Sequence, residues 1–320
     1  MSRTELLARV EHLRAQRTPF VLATVVRAQR PTSAKAGDSA LVLADGTLDG
    51  FVGGTCAEAT VRLEGLRLLE TGRSTLLRIT PSPAEDDRGG DEDSDGLVTV
   101  ANPCLSGGSL EIFLEAMLPP PLVHVFGAAP VARAMADVGA ALGYDLVAAT
   151  DPDAPVPPDA DAVVVASHGR DEERMLKAAV RAGVPYVALV ASRRRGAAVL
   201  AGLDLAPADR ERIHTPAGLD IGARTPPEVA LSIFAELIAA RPHNAGPAGA
   251  PADEAGSVRP SVVAGRPSAV TEAVDPVCGM RVAVTPDALS VEHGGHTWYF
   301  CGSGCRGAFA DSPERYAEPA

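Results

Sequence analysis

The chain has 320 residues, 46% hydrophobic and 22% charged, a composition that supports packed cores and allows about two or three domains. Against 29 Lys and Arg stand 41 Asp and Glu, and a formal net charge of -12 argues against a partner as anionic as nucleic acid. Five cysteines, odd in number and unevenly spaced, suit thiols and metal ligands better than a disulfide framework.

Residues 1–17 read as an Arg-rich amphipathic helix without the apolar centre of a signal peptide. No stretch offers about 18 uninterrupted apolar residues, so a cytoplasmic protein without a membrane span is expected. Residues 19–26 and 40–43 read as strands, the second closed by the turn Asp45-Gly46. The polar stretch between them, with Arg30, Thr32, Ser33 and Lys35, suits either an anion-holding loop or an ordinary solvated connection.

The sharpest chemical signal of this first third is Val52-Gly53-Gly54-Thr55-Cys56-Ala57-Glu58, leading into a helix expected over 57–71. Paired glycines let backbone amides converge on a ligand, and a cysteine at a helix N-terminus has its thiolate favoured by the dipole. Cys56 is therefore a nucleophile, a soft-metal ligand or an inert buried thiol. Residues 81–95 form an acidic loop between strands at 75–80 and 97–100. A second glycine and cysteine element, with Cys104, Gly107 and Gly108, precedes a strand at 110–115, and two such elements in one small domain suggest one shared site.

The next segment reads as strand 122–126, a turn at Gly127, helix 131–142 and strand 145–150, with Asp151 where a Rossmann unit places its ribose-binding acid. The glycine fingerprint is degraded to Gly127-x-Ala129-x-x-Ala132, so the crossover is expected but bound NAD(P) is not favoured. A strand at 161–166 leads into Ser167-His168-Gly169, helix 172–182, strand 185–190 and then Ser192-Arg193-Arg194-Arg195. The three arginines suit an anionic group or a solvated helix start. Gly218, Asp220 and Gly222 form a turn before a helix at 226–240, whose Thr225-Pro226-Pro227-Glu228 start is a capping box.

Residues 241–270 are rich in Pro, Gly, Ala and Ser without an apolar period, which predicts a flexible linker that leaves the tail to fold on its own. In the tail, Cys301 and Cys305 stand at i, i+4 and Cys278 comes from a separate knuckle, so three thiolates can converge on one soft ion such as copper or zinc. His293 and His296 rank below them as a fourth ligand, and three ordinary buried cysteines are the plain alternative.

With these residues in view, positions 1–240 resemble the XdhC/CoxI family, accessory factors that mature molybdenum hydroxylases such as xanthine dehydrogenase and carbon monoxide dehydrogenase. The resemblance rests on Gly53-Gly54-Thr55-Cys56-Ala57-Glu58, on Cys104-Leu105-Ser106-Gly107-Gly108 and above all on Pro216-Ala217-Gly218-Leu219-Asp220-Ile221-Gly222. Of the family's Thr-His-Asp loop only His168 carries over. Asp275 to Met280 and Trp298 to Cys305 resemble a YHS domain.

The fold so implied is α/β: a small α+β domain at 1–118, a Rossmann-like parallel-sheet domain at 119–240, the linker, and a YHS domain at 271–320. The resemblance implies a protein that binds the molybdenum cofactor, a molybdopterin, through Gly53, Gly54, Cys56, Glu58, Cys104, Gly107, Gly108, Gly127, Asp151, His168, Gly218, Asp220 and Gly222. It would hold the cofactor while a cysteine desulfurase supports exchange of an oxo for a sulfido ligand, then pass it to an apo molybdenum hydroxylase. It would carry rather than catalyse, and a homodimer follows by analogy with dimeric clients. The competing expectations are an NAD(P)-dependent oxidoreductase and a soft-metal-trafficking protein acting through its tail.

Overall fold

A computed structural model describes residues 3–81, 96–101, 108–241 and 270–317. The chain divides into two units, one made of Met1–Pro119 with Arg266–Ala320 and one of Pro120–Gly265. Among the described residues no helix is long and apolar enough to cross a membrane.

The first unit opens with α1 (Arg3–Ala15), β1 (Phe20–Gln29), β2 (Ser39–Leu43), β3 (Leu48–Gly50), α2 (Thr55–Thr71), β4 (Thr75–Thr80), β5 (Leu97–Ala101) and β6 (Ser109–Met117). The strands form one sheet in the order β3-β2-β1-β6-β4-β5, antiparallel except for β4 with β5. Successive side chains of a strand point to opposite faces, and β1 shows the consequence. Val21, Ala23 and Val25 join the core beneath α2, while Phe20 packs with Leu6, Val10 and Leu13 of α1. Helix α2 comes close because Gly65 lies over Val42, where an added Cβ would stand 3.1 Å from that side chain. Strand β1 outruns its expected end: a register shift between Val25 and Arg27 lets Arg27, Ala28 and Gln29 pair with Glu111, Leu110 and Ser109.

The second unit contains β7 (Leu122–Phe126), α3 (Pro130–Ala141), β8 (Asp145–Ala149), β9 (Ala160–Val165), α4 (Glu172–Arg181), β10 (Tyr186–Leu189), α5 (Arg193–Gly202), α6 (Pro207–Glu211), β11 (Ile213–His214) and α7 (Pro226–Ala239). Its five strands run parallel in the order β11-β10-β9-β7-β8. One core joins α3 and α7 to the sheet and another joins α4 to it, and under this double cover β7, β9 and β10 are mostly apolar, His124 of β7 being buried with them. The order reverses between β8 and β9, which puts the crevice of an open α/β sheet at the carboxyl ends of β7 and β9.

The tail belongs to the first unit. It comprises β12 (Glu272–Val274), β13 (Arg281–Ala283), β14 (Ser290–His293), β15 (His296–Tyr299), α8 (Ser303–Asp311) and a 3-10 turn at Pro313–Arg315. Strands β12–β13 and β14–β15 form two antiparallel ribbons. The fully buried Phe309 ring centres a small aromatic core, 5.2 Å from Phe300 and 5.5 Å from Trp298. The tail does not stand apart from the first domain: Ala283 joins the core beneath α2 and Val270 packs against it. Most of the expected linker, residues 242–269, lies outside the described residues.

Within β7, His124 is 1% exposed and its ring nitrogens have no hydrogen-bond partner among the described residues. Burial pushes its pKa below the ordinary value. The unfolded chain takes up a proton as pH falls through about 6.5, whereas the folded chain resists it, so stability is lost below that pH at no more than about 1.4 kcal/mol per unit. His124→Leu is expected to lessen the stability lost between about pH 7.5 and about pH 5.5. Amide hydrogen exchange along β7 measures this, and an equal acid response in parent and variant would clear His124 as the cause.

Candidate functional site

The thiols of the tail converge. Sγ of Cys278 lies 3.6 Å from that of Cys301, which lies 3.7 Å from that of Cys305. With a carboxylate oxygen of Asp275, these sulfurs form a group of four donor atoms all within 4.8 Å of one another. The local sequence explains the convergence. Asp275 accepts the Val277 amide at 2.9 Å and its backbone carbonyl accepts the Gly279 amide at 2.8 Å, folding the Asp275-to-Met280 knuckle back on itself. Its second carboxylate oxygen accepts the Cys301 amide at 2.8 Å, which fixes the end of β15 against the knuckle. Cys301 stands just before Gly302, the N-cap of α8, and Cys305 lies in the first turn of that helix. Asp275 was not singled out from sequence, although Asp-Pro before a cysteine marks such a turn.

A tetrahedral ion with sulfur ligands at about 2.3 Å spaces its sulfurs about 3.8 Å apart, so the observed separations fit a zinc-like or copper-like ion. The protons are unevenly held. The hydrogen bond from Cys301 lowers the Cys278 thiol to about 7 against the opposing effect of burial. Donation of that hydrogen bond, with burial, pushes Cys301 up, and burial with the nearby Asp275 and Cys278 charges pushes Cys305 up to about 12. His293 and His296 are not in the donor group; His293 stands edge-on to Phe309 at 6.0 Å, and both are exposed.

The glycine and cysteine element of the first domain adjoins this centre. Gly54 is the N-cap of α2 and carries no capping side chain, and Cys56 is the second residue of the helix, half-buried. Gly53 takes φ 142° and a Cβ there would stand 3.1 Å from Ala57 and 3.2 Å from Leu110, a packing reason for glycine, whereas a Cβ at Gly54 would meet nothing within 4 Å. Burial pushes the Glu58 carboxyl up against the pull of Arg62. Gly108 passes so near the loop after β1 that a Cβ would stand 2.2 Å from the Pro31 carbonyl. Cys104 and Gly107 lie outside the described residues.

Cys56, Cys278 and Cys305 all pack against one apolar cluster of Ala59, Met280, Val282 and Cys301. Polar ties hold it together. Arg67 of α2 donates to Glu64 at 2.6 Å and to Glu272 of β12 at 2.5 Å, and Glu70 accepts the Val270 amide at 2.7 Å. A Cβ on Gly302 would stand 3.1 Å from Thr55, so the two helix starts abut.

In the second unit, Gly127 takes φ 117° and a Cβ there would stand 2.3 Å from the Ala166 carbonyl, which brings the turn after β7 onto the end of β9, beside the exposed His168. The Ala129 amide donates to that same carbonyl at 3.3 Å and the Ala129 methyl is buried, so this turn offers a pyrophosphate less backbone than an intact fingerprint does. Asp151 is exposed and accepts the Asp153 amide at 2.9 Å. The arginine run starts α5: Arg195 binds the buried Glu172, which also accepts the Gly169 amide at 2.7 Å, and Arg193 pairs with Asp220 at 3.1 Å. Gly222 is an exposed turn residue at φ 75°.

Sequence reasoning missed Glu236, whose carboxylate accepts Tyr186 Oη at 2.6 Å and the Gly218 amide at 2.8 Å and meets His214 Nδ1 at 3.2 Å. Burial pushes the Glu236 carboxyl up, but the three hydrogen bonds outweigh it and hold it below the usual value. An acid midway along an apolar helix face was the available signal. The expected cap of α7 is present, with Glu228 accepting the Thr225 amide at 2.8 Å.

The family described as XdhC and CoxI matches residues 13–80, the XdhC Rossmann domain matches 123–237 and the YHS domain matches 273–320. The chain carries both domains of the XdhC and CoxI family, followed by a YHS domain. The uncharacterized protein YqeB of Escherichia coli strain K12 is 28% identical over 255 residues, 71% of this chain and 44% of that protein, so the chain spans less than half of that curated relative. The crystal structure of a xanthine dehydrogenase from Bacillus halodurans is 17% identical, with a TM-score of 0.35 over 77% of this chain and 98% of that one.

The tie between the YHS domain and the XdhC and CoxI domain can be cut at one residue. Arg67→Ala takes from Glu64, 8% exposed, its charged hydrogen bond and releases Glu272. A loss of about 1–3 kcal/mol is expected, with faster proteolysis in 270–317. Urea unfolding and timed proteolysis measure it, and a variant as stable and as resistant as the parent would leave the attachment to the apolar contacts and the Glu70–Val270 hydrogen bond.

Proposed function

We propose that the protein is an accessory factor for molybdenum hydroxylases of the xanthine or carbon monoxide dehydrogenase type, which binds the molybdenum cofactor, supports its sulfuration by a cysteine desulfurase and delivers it to the apo-enzyme. The observation that carries this reading is Cys56 in the first turn of α2, behind Gly53 and Gly54, in the domain that matches the XdhC and CoxI family. The cofactor would supply a molybdenum centre that accepts soft sulfur donors.

The residues of the chain account for the rest. The first-turn amides of α2 lie where they favour the Cys56 thiolate, and Gly54 leaves the approach open. Glu58, two residues on in the same first turn, has its carboxyl pushed up by burial against the pull of Arg62. Gly127, His168, Gly218, Asp220 and Gly222 are proposed to contact the cofactor from the Rossmann unit, and Cys104, Gly107 and Gly108 to complete the site of the first domain. A homodimer is proposed from the symmetry of the clients.

A second reading is favoured by the thiol cluster of the tail: Cys278, Cys301 and Cys305 would hold copper or zinc, and the protein would handle that ion as well as the cofactor. The oxidoreductase reading is weakened by the engaged Ala129 amide.

The cofactor reading is tested by incubating the full-length protein with molybdenum cofactor and following retention through gel filtration by pterin fluorescence. Cys56→Ala is expected to weaken retention by about tenfold or more, in the manner of a lost ligand. Tight binding of NADH or NADPH with no retained pterin would reverse the assignment.

A further inference from the structure

The donor group of the tail counts three sulfurs and one carboxylate oxygen. Three sulfurs at tetrahedral spacing leave a fourth position for an ion, and Asp275 is a poor candidate for it. Its carboxylate is fully buried, and its two oxygens already accept the amides of Val277 at 2.9 Å and Cys301 at 2.8 Å. Coordination would weaken the bonds that hold the knuckle and β15 together. A softer donor stands beside the cluster on the other module: Cys56, packed against Cys301, Met280, Val282 and Ala59.

We propose that Cys56 is the fourth ligand of a soft-metal centre shared between the first domain and the tail, completed by Cys278, Cys301 and Cys305. This goes beyond the cofactor reading and does not depend on it. Cys56 Sγ is outside the group of donors within 4.8 Å, so closing the centre requires it to swing inward. Rotation from one staggered χ1 well to the next moves a cysteine sulfur by about 3 Å, and the first turn of a helix has no preceding turn to forbid the new well. The neighbouring surfaces are already in register, since Gly302 abuts Thr55 and Arg67 ties β12 to α2. Binding releases the thiol protons and transfers no electrons. Its consequence is that the metal-loaded tail withholds Cys56 from any other ligand.

The test uses reduced full-length protein under anaerobic conditions, with cobalt(II) alone as the probe. Thiolate-to-cobalt charge-transfer absorption grows with each sulfur bound. Cys56→Ser is expected to lose about a quarter of it and to bind cobalt at least about tenfold more weakly, while Asp275→Asn keeps the full intensity. An unchanged spectrum and affinity in Cys56→Ser, or a spectrum altered in Asp275→Asn and not in Cys56→Ser, overturns the assignment.

A second measurement needs no variant: alkylation of the parent protein with and without zinc, mapped by mass spectrometry to each cysteine. Zinc is expected to slow labelling of Cys56 by about tenfold or more alongside that of the three tail cysteines. Protection confined to Cys278, Cys301 and Cys305 overturns it. No arm contains molybdopterin, so failure here leaves the cofactor reading standing, and failure of cofactor binding leaves this centre standing.

Discussion

Helix α2 is buried on two faces, and the first unit depends on that constraint. One face lies on the sheet through Ala57, Val61, Leu68 and Leu69. Another receives the tail through Ala59 and the Glu64–Arg67–Glu272 linkage. An isolated surface helix keeps one stripe apolar, whereas a helix covered twice must place polar groups where they can be paired. Glu64 meets this demand: a nearly buried carboxylate is tolerable because Arg67 is held at 2.6 Å, and the same guanidinium reaches Glu272. The helix that carries Cys56 at its start is thereby fixed from both sides, and its first turn lies beside the thiol-rich knuckle of the tail.

The second unit is organised by backbone closeness instead of charge. Gly127 lets the turn after β7 touch the carbonyl of Ala166, and Gly218 lets the signature turn approach Ser232, where a Cβ would stand 2.3 Å from the hydroxyl. Glu236 then gathers Tyr186, His214 and the Gly218 amide from separate elements. A signature rich in glycine with an acid a few turns onward is thus an architectural necessity in part. Gly218 is required by packing whatever it touches, while Asp220 and Gly222 are exposed.

What the sequence revealed followed from local physics. Runs of β-formers announced β7, β9 and β10, glycine and proline punctuation marked the ends of α3 and α7, and Cys278, Cys301 and Cys305 were legible by spacing. The extension of β1 through Arg27 to Gln29 was not, because it is decided by pairing with β6 rather than by its own polar residues. The attachment of the tail was illegible for a similar reason. Arg67 and Glu272 are more than two hundred positions apart, and each alone reads as a solvated charge. The composition of the intervening segment could not decide the matter, because freedom of a tether says nothing about whether its two ends bind each other. Glu236 was missed because a single acid on an apolar helix has the same pattern whether it faces water or three donors.

The electrostatics of the tail explain why a thiol cluster here asks for a cation. Asp275 is fully buried, and the two amides it accepts compensate one negative charge. Each further thiolate adds an uncompensated charge within 4.8 Å of the others, and the cost of a buried like charge is met by holding the proton instead. Cys301 and Cys305 are pushed up in this way, while the hydrogen bond from Cys301 lowers Cys278, the one sulfur that gives up its proton readily. A divalent ion reverses the balance at all the sulfurs together, because it neutralises the charge that made each successive deprotonation harder. The aromatic core around Phe309 packs without help from the thiols, so the ion is not needed to gather apolar surface. An ion held by these thiols would act where the knuckle meets the start of α8, beside the apolar cluster that Cys56 also packs against.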